Sequence, residues 1–119
     1  MIKLVAFDLD GTLTQHKTTI SDENRAILDR LAEKYMLLMV GAGQCMRIYK
    51  QTREYPIDII GNYGLQYARY DEKLGAPVVE RDLVLPCDRE SVSARVEMLR
   101  NKYGFTEYAG ESVEFHPSG

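Results

Sequence analysis

The sequence predicts an α/β protein built on a parallel sheet, and three observations support this fold class. Short apolar runs typical of strands occupy residues 2–7, 36–40 and 57–61. A segment with helical features separates each run from the next. The apolar residues of the first two runs are continuous rather than alternating, which is typical of strands covered on both faces. The order strand, helix, strand, helix, strand therefore predicts a doubly wound parallel sheet.

The first helix is predicted within residues 18–35, "TTISDENRAILDRLAEKY". Ser21 is a good N-cap, and Asp22 and Glu23 fall in the first turn, where negative charge suits the helix dipole. Four apolar residues at helical spacing form its predicted inner face: Ile27, Leu28, Leu31 and Tyr35. A second, shorter helix is predicted at residues 45–54, because Pro56 disfavours helix just before it.

Beyond the third strand the pattern changes. Residues 65–70 and 74–80 look extended and flank the polar turn "DEK", which predicts a hairpin. A last helix is predicted from the N-cap Asp88 to Gly104, and a final half-buried strand within residues 111–119. The apolar stripe of that helix would be Val92, Val96, Leu99 and Tyr103. We place a boundary near residue 80, between an α/β layer and an α+β piece.

Composition narrows the range of functions. The chain has 119 residues, the size of one ordinary domain, with a net charge of −3 and a pI of about 5.4. An acidic chain argues against nucleic acid or an anionic membrane as partner. The longest apolar block, "YMLLMV", is far shorter than the roughly 20 residues that span a bilayer. Cys45 and Cys87 lack metal-type spacing, so free thiols and a cytoplasmic location are expected.

The segment "FDLDGTLT", residues 7–14, carries the clearest chemical signal. Asp8 and Asp10 lie where the first strand meets its loop, and ligands of α/β folds bind beyond the carboxyl ends of strands. Alternation along an extended chain points both side chains the same way, and two such carboxylates repel each other. A divalent cation resolves this conflict, and Mg²⁺ is the natural choice because it prefers oxygen ligands and one or two carboxylates.

The two residues that follow suit an anionic substrate. Gly11 allows a tight turn, and Thr12 offers a backbone N–H and a hydroxyl group to an anion. With a phosphorylated substrate, one aspartate could attack phosphorus while the other passes a proton to the leaving oxygen. The alternative interpretation is a pair of solvated aspartates in an ordinary loop.

This segment resembles motif I of the haloacid dehalogenase superfamily of phosphotransferases. The resemblance implies that Asp8 is the nucleophile, that Asp10 is the general acid/base, and that Mg²⁺ is held by the Asp8 carboxylate and the Asp10 backbone carbonyl. The segments "VGAGQCMRIYK", "IDIIGNYGLQYARYDEK" and "ESVEFHPSG" are similar to eukaryotic-type phosphomannomutases and related sugar phosphatases with type IIB (C2) caps. Residues 1–80 would then be the N-terminal part of a Rossmann-like parallel-sheet core, and residues 81–119 the incomplete beginning of an α+β cap.

The implied function is Mg²⁺-dependent phosphoryl transfer on a phosphorylated sugar, with no nucleic-acid or membrane partner and a homodimer formed through the cap. Motif II departs from the family pattern, because Gly43 or Gln44 stands where a Ser or Thr is expected. Their backbone N–H groups, heading a helix, or the Gln44 amide could still hold phosphate. Asn62, after the third strand, could help to seat the substrate. A plain turn explains each of these segments equally well.

Motifs III and IV of the superfamily lie after the cap and find no match here. We therefore expect the chain to be the N-terminal part of a longer enzyme, to leave one edge of its first strand bare, and to be inactive in isolation. Two alternatives stay open. One is a non-catalytic fragment or binding domain. The other is a receiver-type module, in which Asp58 would be the phospho-acceptor.

Overall fold

The computed structural model describes residues 1–15 and 17–104, in two compact units. The first unit, residues 1–83, contains a five-stranded sheet and two α-helices. Its elements are β1 (Leu4–Asp8), α1 (Asp22–Ala32), β2 (Met36–Val40), α2 (Cys45–Gln51), β3 (Asp58–Gly61), a 3₁₀ turn (Asn62–Gly64), β4 (Gln66–Asp71) and β5 (Ala76–Asp82). The second unit, residues 84–119, contains α3 (Arg89–Tyr103) among its described residues.

The sheet has the order β1-β2-β3-β4-β5. The first three strands are parallel to one another, and β4 and β5 continue the sheet as an antiparallel hairpin. The fold is therefore α/β, as the sequence predicts, and the hairpin is confirmed. Among the described strands β1 pairs with β2 alone, so one edge of β1 is bare, as expected.

The core of this unit lies on one face of the sheet. Strand register brings Phe7, Met39, Ile59 and Ala68 into one row across β1 to β4. Leu28 of α1 and Ile48 of α2 belong to the same buried cluster. Both connections step in the same direction along the sheet, and right-handed crossovers then place both helices on the same face.

This arrangement corrects the prediction that the first two strands are covered on both faces. Leu4 of β1 is 51% exposed and Met36 of β2 is 69% exposed, whereas Met39 is fully buried. The continuous apolar runs therefore do not reflect burial on both faces within the described residues. A doubly wound sheet has helices on both faces. Here α1 and α2 cover one face of the sheet, and these two helices do not cover the other.

The helix ends follow local chemistry. Ser21 caps α1 by accepting a hydrogen bond from the Asn24 N–H at 3.1 Å, as predicted. Only Leu28 of the predicted stripe is fully buried, and Ile27 is 49% exposed. α2 is shorter than predicted, because Arg53 and Glu54 both adopt left-handed φ angles, 57° and 58°, that end the helix.

The second unit confirms both predicted ends of α3. Asp88 accepts a hydrogen bond from the Ser91 N–H at 3.1 Å, and Gly104 ends the helix in the left-handed region with φ 66°. None of the α3 side chains is buried. The predicted strand at 111–119 lies outside the described residues, and the identity of this unit as the start of a cap stays a prediction. No helix in the described part of the chain is long and apolar enough to cross a bilayer.

Candidate active site

Asp8 and Asp10 line the same cleft at the carboxyl ends of the parallel strands. Asp8 is the last residue of β1 and pairs in register with Val40, the last residue of β2. Leu9, between the two aspartates, is 2% exposed and belongs to the core, whereas both aspartates are exposed. The predicted alternation therefore places both carboxylates on the solvent side, facing a cleft of about 290 Å³.

A tight turn sets the path of the chain after Asp10. The carbonyl oxygen of Leu9 accepts hydrogen bonds from the N–H groups of Thr12, Leu13 and Thr14, at 3.3, 3.0 and 3.1 Å. Gly11 has φ 81° and donates its N–H to the Thr14 carbonyl at 2.8 Å. A left-handed φ favours glycine, so the predicted role of Gly11 in the turn is confirmed.

Among the residues that the structure describes, three hydrogen-bond donors converge on Oδ1 of Asp10. The Gln51 side chain donates through Nε2 at 2.7 Å, the Lys17 backbone N–H donates at 3.1 Å, and the Thr14 hydroxyl lies at 3.4 Å. The donors come from the end of α2, from the loop before α1 and from the turn after β1. The Asp10 carboxyl group is therefore held by three separate segments.

The opposite wall of the cleft is the main chain that follows β2. Gly41, Ala42 and Gly43 all line the cleft, and the Gly43 carbonyl accepts the Asn62 N–H at 2.7 Å. A Cβ on Gly61 would lie 2.6 Å from that carbonyl oxygen and 2.8 Å from the backbone N of Cys45. The end of β3 can therefore approach this wall only because residue 61 is glycine.

Of the residues predicted around motif II, only Gly43 faces the cleft. Gln44 does not line it: its carbonyl accepts the N–H groups of Arg47 and Ile48, at 3.0 and 3.1 Å, as the first residue before α2. The first N–H inside α2, that of Cys45, is donated to Oε1 of Gln66 at 2.9 Å. Gln44 is therefore not among the residues that line this cleft, and its contact with phosphate stays a prediction.

Three other residues predicted to bind phosphate or substrate, Gly11, Thr12 and Asn62, also lie outside the lining of this cleft, and their roles stay predictions. Gly11 and Thr12 line a neighbouring cleft on the other side of the turn, and the Thr12 N–H is engaged by the Leu9 carbonyl. Asn62 is 3% exposed and does not line the cleft, whereas the adjacent Tyr63 does and is 80% exposed. In this chain Tyr63, rather than Asn62, is placed to meet a ligand beside Asp8.

The cleft also contains four side chains that were not among the predicted site residues: Lys17, Arg47, Gln51 and Tyr63. Arg47 lies one turn into α2. Lys17 and Gln51 reach the cleft through tertiary folding, and no motif in the sequence links them to "FDLDGTLT". The cationic groups of Lys17 and Arg47 balance the two aspartates and make the cleft suited to a ligand of mixed charge.

The donor set is compatible with Mg²⁺. This ion is commonly held by one or two carboxylates and completes its shell with water and phosphate oxygens. Asp8 and Asp10 offer such a pair at one cleft. Across residues 1–15 and 17–104, no group of three or more His, Cys, Asp or Glu side chains could hold a metal. The carboxylates that the described part of the cleft offers to a cation are those of Asp8 and Asp10.

Asp58, the candidate phospho-acceptor of a receiver module, does not lie in this cleft. It is the first residue of β3, and its Oδ1 accepts the Tyr70 N–H at 2.8 Å while its Oδ2 accepts the Tyr67 hydroxyl at 3.1 Å. Burial, together with the hydrogen bond to Asp58, raises the pKa of Tyr67. Asp58 is therefore engaged in strand-to-strand contacts at the opposite end of the parallel strands.

The profile of the haloacid dehalogenase-like hydrolase family matches residues 5–64, half of the chain. The chain therefore belongs to the haloacid dehalogenase-like hydrolases. It is 34% identical over 53 residues to 5-amino-6-(5-phospho-D-ribitylamino)uracil phosphatase YcsE of Bacillus subtilis. That alignment covers 44% of this chain and 21% of YcsE, so the chain matches about a fifth of the length of this relative.

Solved structures show the same fold. The phosphatase BT1666 of Bacteroides thetaiotaomicron superposes with a TM-score of 0.58 at 19% identity, over 87% of this chain and 37% of that chain. The IMP-bound IMP-nucleotidase of Plasmodium falciparum gives a TM-score of 0.64 at 15% identity, over 87% and 36% of the two chains. These neighbours support the α/β architecture, and the chain spans little more than a third of their lengths.

Proposed function

We propose that this chain supplies the nucleophile and the acid/base residue of a phosphotransferase that acts on a phosphorylated sugar. The observation that carries the proposal is the placement of Asp8 and Asp10 in one cleft at the carboxyl ends of β1 and β2. Membership of a hydrolase family agrees with this chemistry. Lys17 and Arg47 in the same cleft supply positive charge for a phosphate dianion.

The proposed reaction has two displacements at phosphorus. In the first, an Asp8 carboxylate oxygen attacks phosphorus, the ester P–O bond breaks, and the Asp10 carboxyl group gives its proton to the leaving oxygen. In the second, the Asp10 carboxylate takes a proton from the incoming hydroxyl group, whose oxygen attacks phosphorus while the bond to Asp8 breaks. Water as the acceptor gives a phosphatase, and a second sugar hydroxyl gives a mutase of the phosphomannomutase kind.

Mg²⁺ is the proposed cofactor, held by the Asp8 carboxylate and the Asp10 backbone carbonyl. When bound, it would neutralise the phosphate charge and bring the substrate to Asp8. The superfamily completes this ion site and its transition-state contacts with motifs III and IV, which have no match in the sequence. We therefore propose that the 119-residue chain alone turns over substrate negligibly.

A sugar substrate is favoured by two lines of support. YcsE is named for a phospho-D-ribityl compound, a phosphorylated sugar-alcohol chain. In this chain the exposed Tyr63 ring stands in the cleft beside Asp8, and aromatic rings stack readily on the apolar faces of sugars. A cleft of about 290 Å³ suits a small phosphate ester.

The test is phosphate release by the full-length protein from hexose 6-phosphates, ribitol 5-phosphate and nucleoside monophosphates, with Mg²⁺ and with EDTA. We expect Mg²⁺-dependent turnover that is highest on a sugar or sugar-alcohol phosphate. An Arg47→Ala variant should raise KM, because it removes a cation that faces the phosphate. Absence of turnover on every ester in the presence of Mg²⁺ would contradict the proposal and favour a non-catalytic binding domain.

A further inference from the structure

The contact between Gln51 and Asp10 is the shortest hydrogen bond described between two side chains of the cleft. Nε2 of Gln51 lies 2.7 Å from Oδ1 of Asp10, although the two residues are 41 positions apart in sequence. Hydrogen bonds to an ionised carboxylate are shorter and stronger than neutral ones. The amide nitrogen must face the carboxylate, because the amide oxygen would repel it.

The position of Gln51 is fixed by its main chain and by buried neighbours. Its carbonyl oxygen accepts the N–H of Ile20 at 3.1 Å, and Ile20 is 2% exposed. The next residue, Thr52, is fully buried and donates its hydroxyl to the Tyr49 carbonyl at 2.9 Å. Substitutions of the Gln51 side chain therefore leave these anchors in place and change the contact with Asp10.

The same Asp10 oxygen also receives the Lys17 N–H at 3.1 Å. Lys17 adopts a left-handed φ of 57°, a conformation that is unfavourable for a non-glycine residue. The loop thus keeps an unfavourable backbone conformation at the residue whose N–H meets Asp10.

We propose that Gln51 is a positioning residue that fixes the orientation of the Asp10 carboxyl group, so that this group delivers its proton to the leaving oxygen. This inference rests on the proposed function, because it gives the acid/base role of Asp10 a structural support. Gln51 acts through Asp10, and its effect should therefore depend on how much the leaving group needs a proton.

The kinetic test compares two leaving groups in the full-length protein. Nitrophenolate departs from p-nitrophenyl phosphate without protonation, whereas the alkoxide of a sugar phosphate requires a proton. Gln51→Met keeps the side-chain length and removes the donor, and Gln51→Glu places a second carboxylate against Asp10. We expect the single-turnover rate of leaving-group release, which reports the first displacement alone, to fall about tenfold on the sugar phosphate for Gln51→Met and further for Gln51→Glu. On p-nitrophenyl phosphate the same rate should fall by no more than about twofold, because the second displacement, in which Asp10 acts for either substrate, is not part of this measurement.

Lys50→Met is the matched control, because Lys50 is exposed on the same helix and does not line the cleft. It should leave both rates unchanged. Equal losses on the two substrates for the Gln51 variants would overturn the positioning role, because a general structural defect lowers both rates alike. If Gln51→Met kept the wild-type rate on both substrates, the positioning role would be overturned as well.

A second measurement is independent of turnover. In nitrogen–proton correlation spectra of the 119-residue chain, the Gln51 side-chain amide should shift when Asp10→Ala removes its acceptor, while the Gln44 side-chain amide, which makes no capping hydrogen bond, should not. An unchanged Gln51 signal would overturn the inference whatever the enzyme does. A shifted signal in a protein without any turnover would instead count against the proposed function and leave the contact established.

Discussion

The two ends of the parallel strands both carry aspartates, and they use them differently. Asp58, at the start of β3, accepts donors from β4 at both of its carboxylate oxygens. Asp8 is the last residue of β1 and Asp10 lies in the turn that follows. Both face a cleft that also contains Lys17 and Arg47. The first arrangement joins two strands, whereas the second presents charge to a ligand.

The comparison teaches that the surroundings of an aspartate, rather than its presence near a strand end, separate structure from chemistry. A carboxylate whose two oxygens accept hydrogen bonds from a neighbouring β-strand contributes to stability, because its removal leaves those donors without an acceptor. A pair of carboxylates at the carboxyl ends of parallel strands lies where α/β folds bind ligands. Substitutions at the two ends should therefore affect different observables.

The largest expected effect is on catalysis at the cleft. Asp8→Asn should lower kcat of the full-length protein by at least about 10³-fold, because it removes the proposed nucleophile. Its free energy of unfolding should stay within about 0.5 kcal/mol of wild type, because Asp8 is exposed. Steady-state phosphate release and urea unfolding measure the two quantities.

The matched control is Asp58→Ala, which should keep kcat near the wild-type value when assayed well below its unfolding midpoint. A large loss of kcat in Asp58→Ala together with full activity in Asp8→Asn would reverse the assignment of the two ends.

The next effect concerns the main-chain approach that builds the wall of the cleft. Gly61→Ala would place a Cβ 2.6 Å from the Gly43 carbonyl oxygen, and backbone atoms cannot move aside cheaply. We expect a loss of about 3 kcal/mol in the free energy of unfolding, typical of severe overpacking. Gly75→Ala is the comparison variant, because its φ of 65° is strained but no atom lies within 4 Å. It should cost about 1 kcal/mol, and equal losses in the two variants would show that the close approach is not the cause.

A smaller effect is expected at the structural end. Asp58→Ala removes the acceptor of the Tyr67 hydroxyl and the Tyr70 N–H, both partly buried. Leaving these donors unsatisfied should lower the free energy of unfolding by about 2 kcal/mol. Urea unfolding of Asp58→Ala against Asp58→Asn separates the causes, since Asn keeps an acceptor and should recover part of the loss. A wild-type stability in Asp58→Ala would contradict the structural role.

The last effect is confined to alkaline pH and arises at the same end of the sheet. Burial, and a hydrogen bond from the Tyr55 hydroxyl to Asp29 at 2.8 Å, raise the pKa of Tyr55 from 10.0 to about 12. The folded state therefore favours the neutral phenol. The contribution of the Tyr55 hydroxyl to the free energy of unfolding is complete below pH 10 and is lost as pH rises towards 12. Stability curves of Tyr55→Phe and wild type should converge over this range, and parallel curves would refute the coupling.

Sequence analysis predicted the sheet core, the hairpin, the caps Ser21 and Asp88 and the cleft position of Asp8 and Asp10, because each depends on local chemistry or strand order. It misjudged the burial of β1 and β2, since a continuous apolar run does not say which faces are covered. It missed Gln51 and Lys17, which reach Asp10 only through the packing of α2 and the preceding loop. It did not name Tyr63, which lines the cleft through a left-handed turn at residues 62–64 that the sequence does not specify.

The most direct test of the account is to map the phosphorylated residue. The full-length protein is mixed with its sugar phosphate and Mg²⁺, quenched in the time of a single turnover, reduced with borohydride and digested for mass spectrometry. The account predicts that residue 8 is recovered as homoserine, the reduction product of an aspartyl phosphate, and that Asp8→Asn gives no such product. Phosphorylation mapped to Asp58 or to any residue outside the cleft, with Asp8 unmodified, would contradict it.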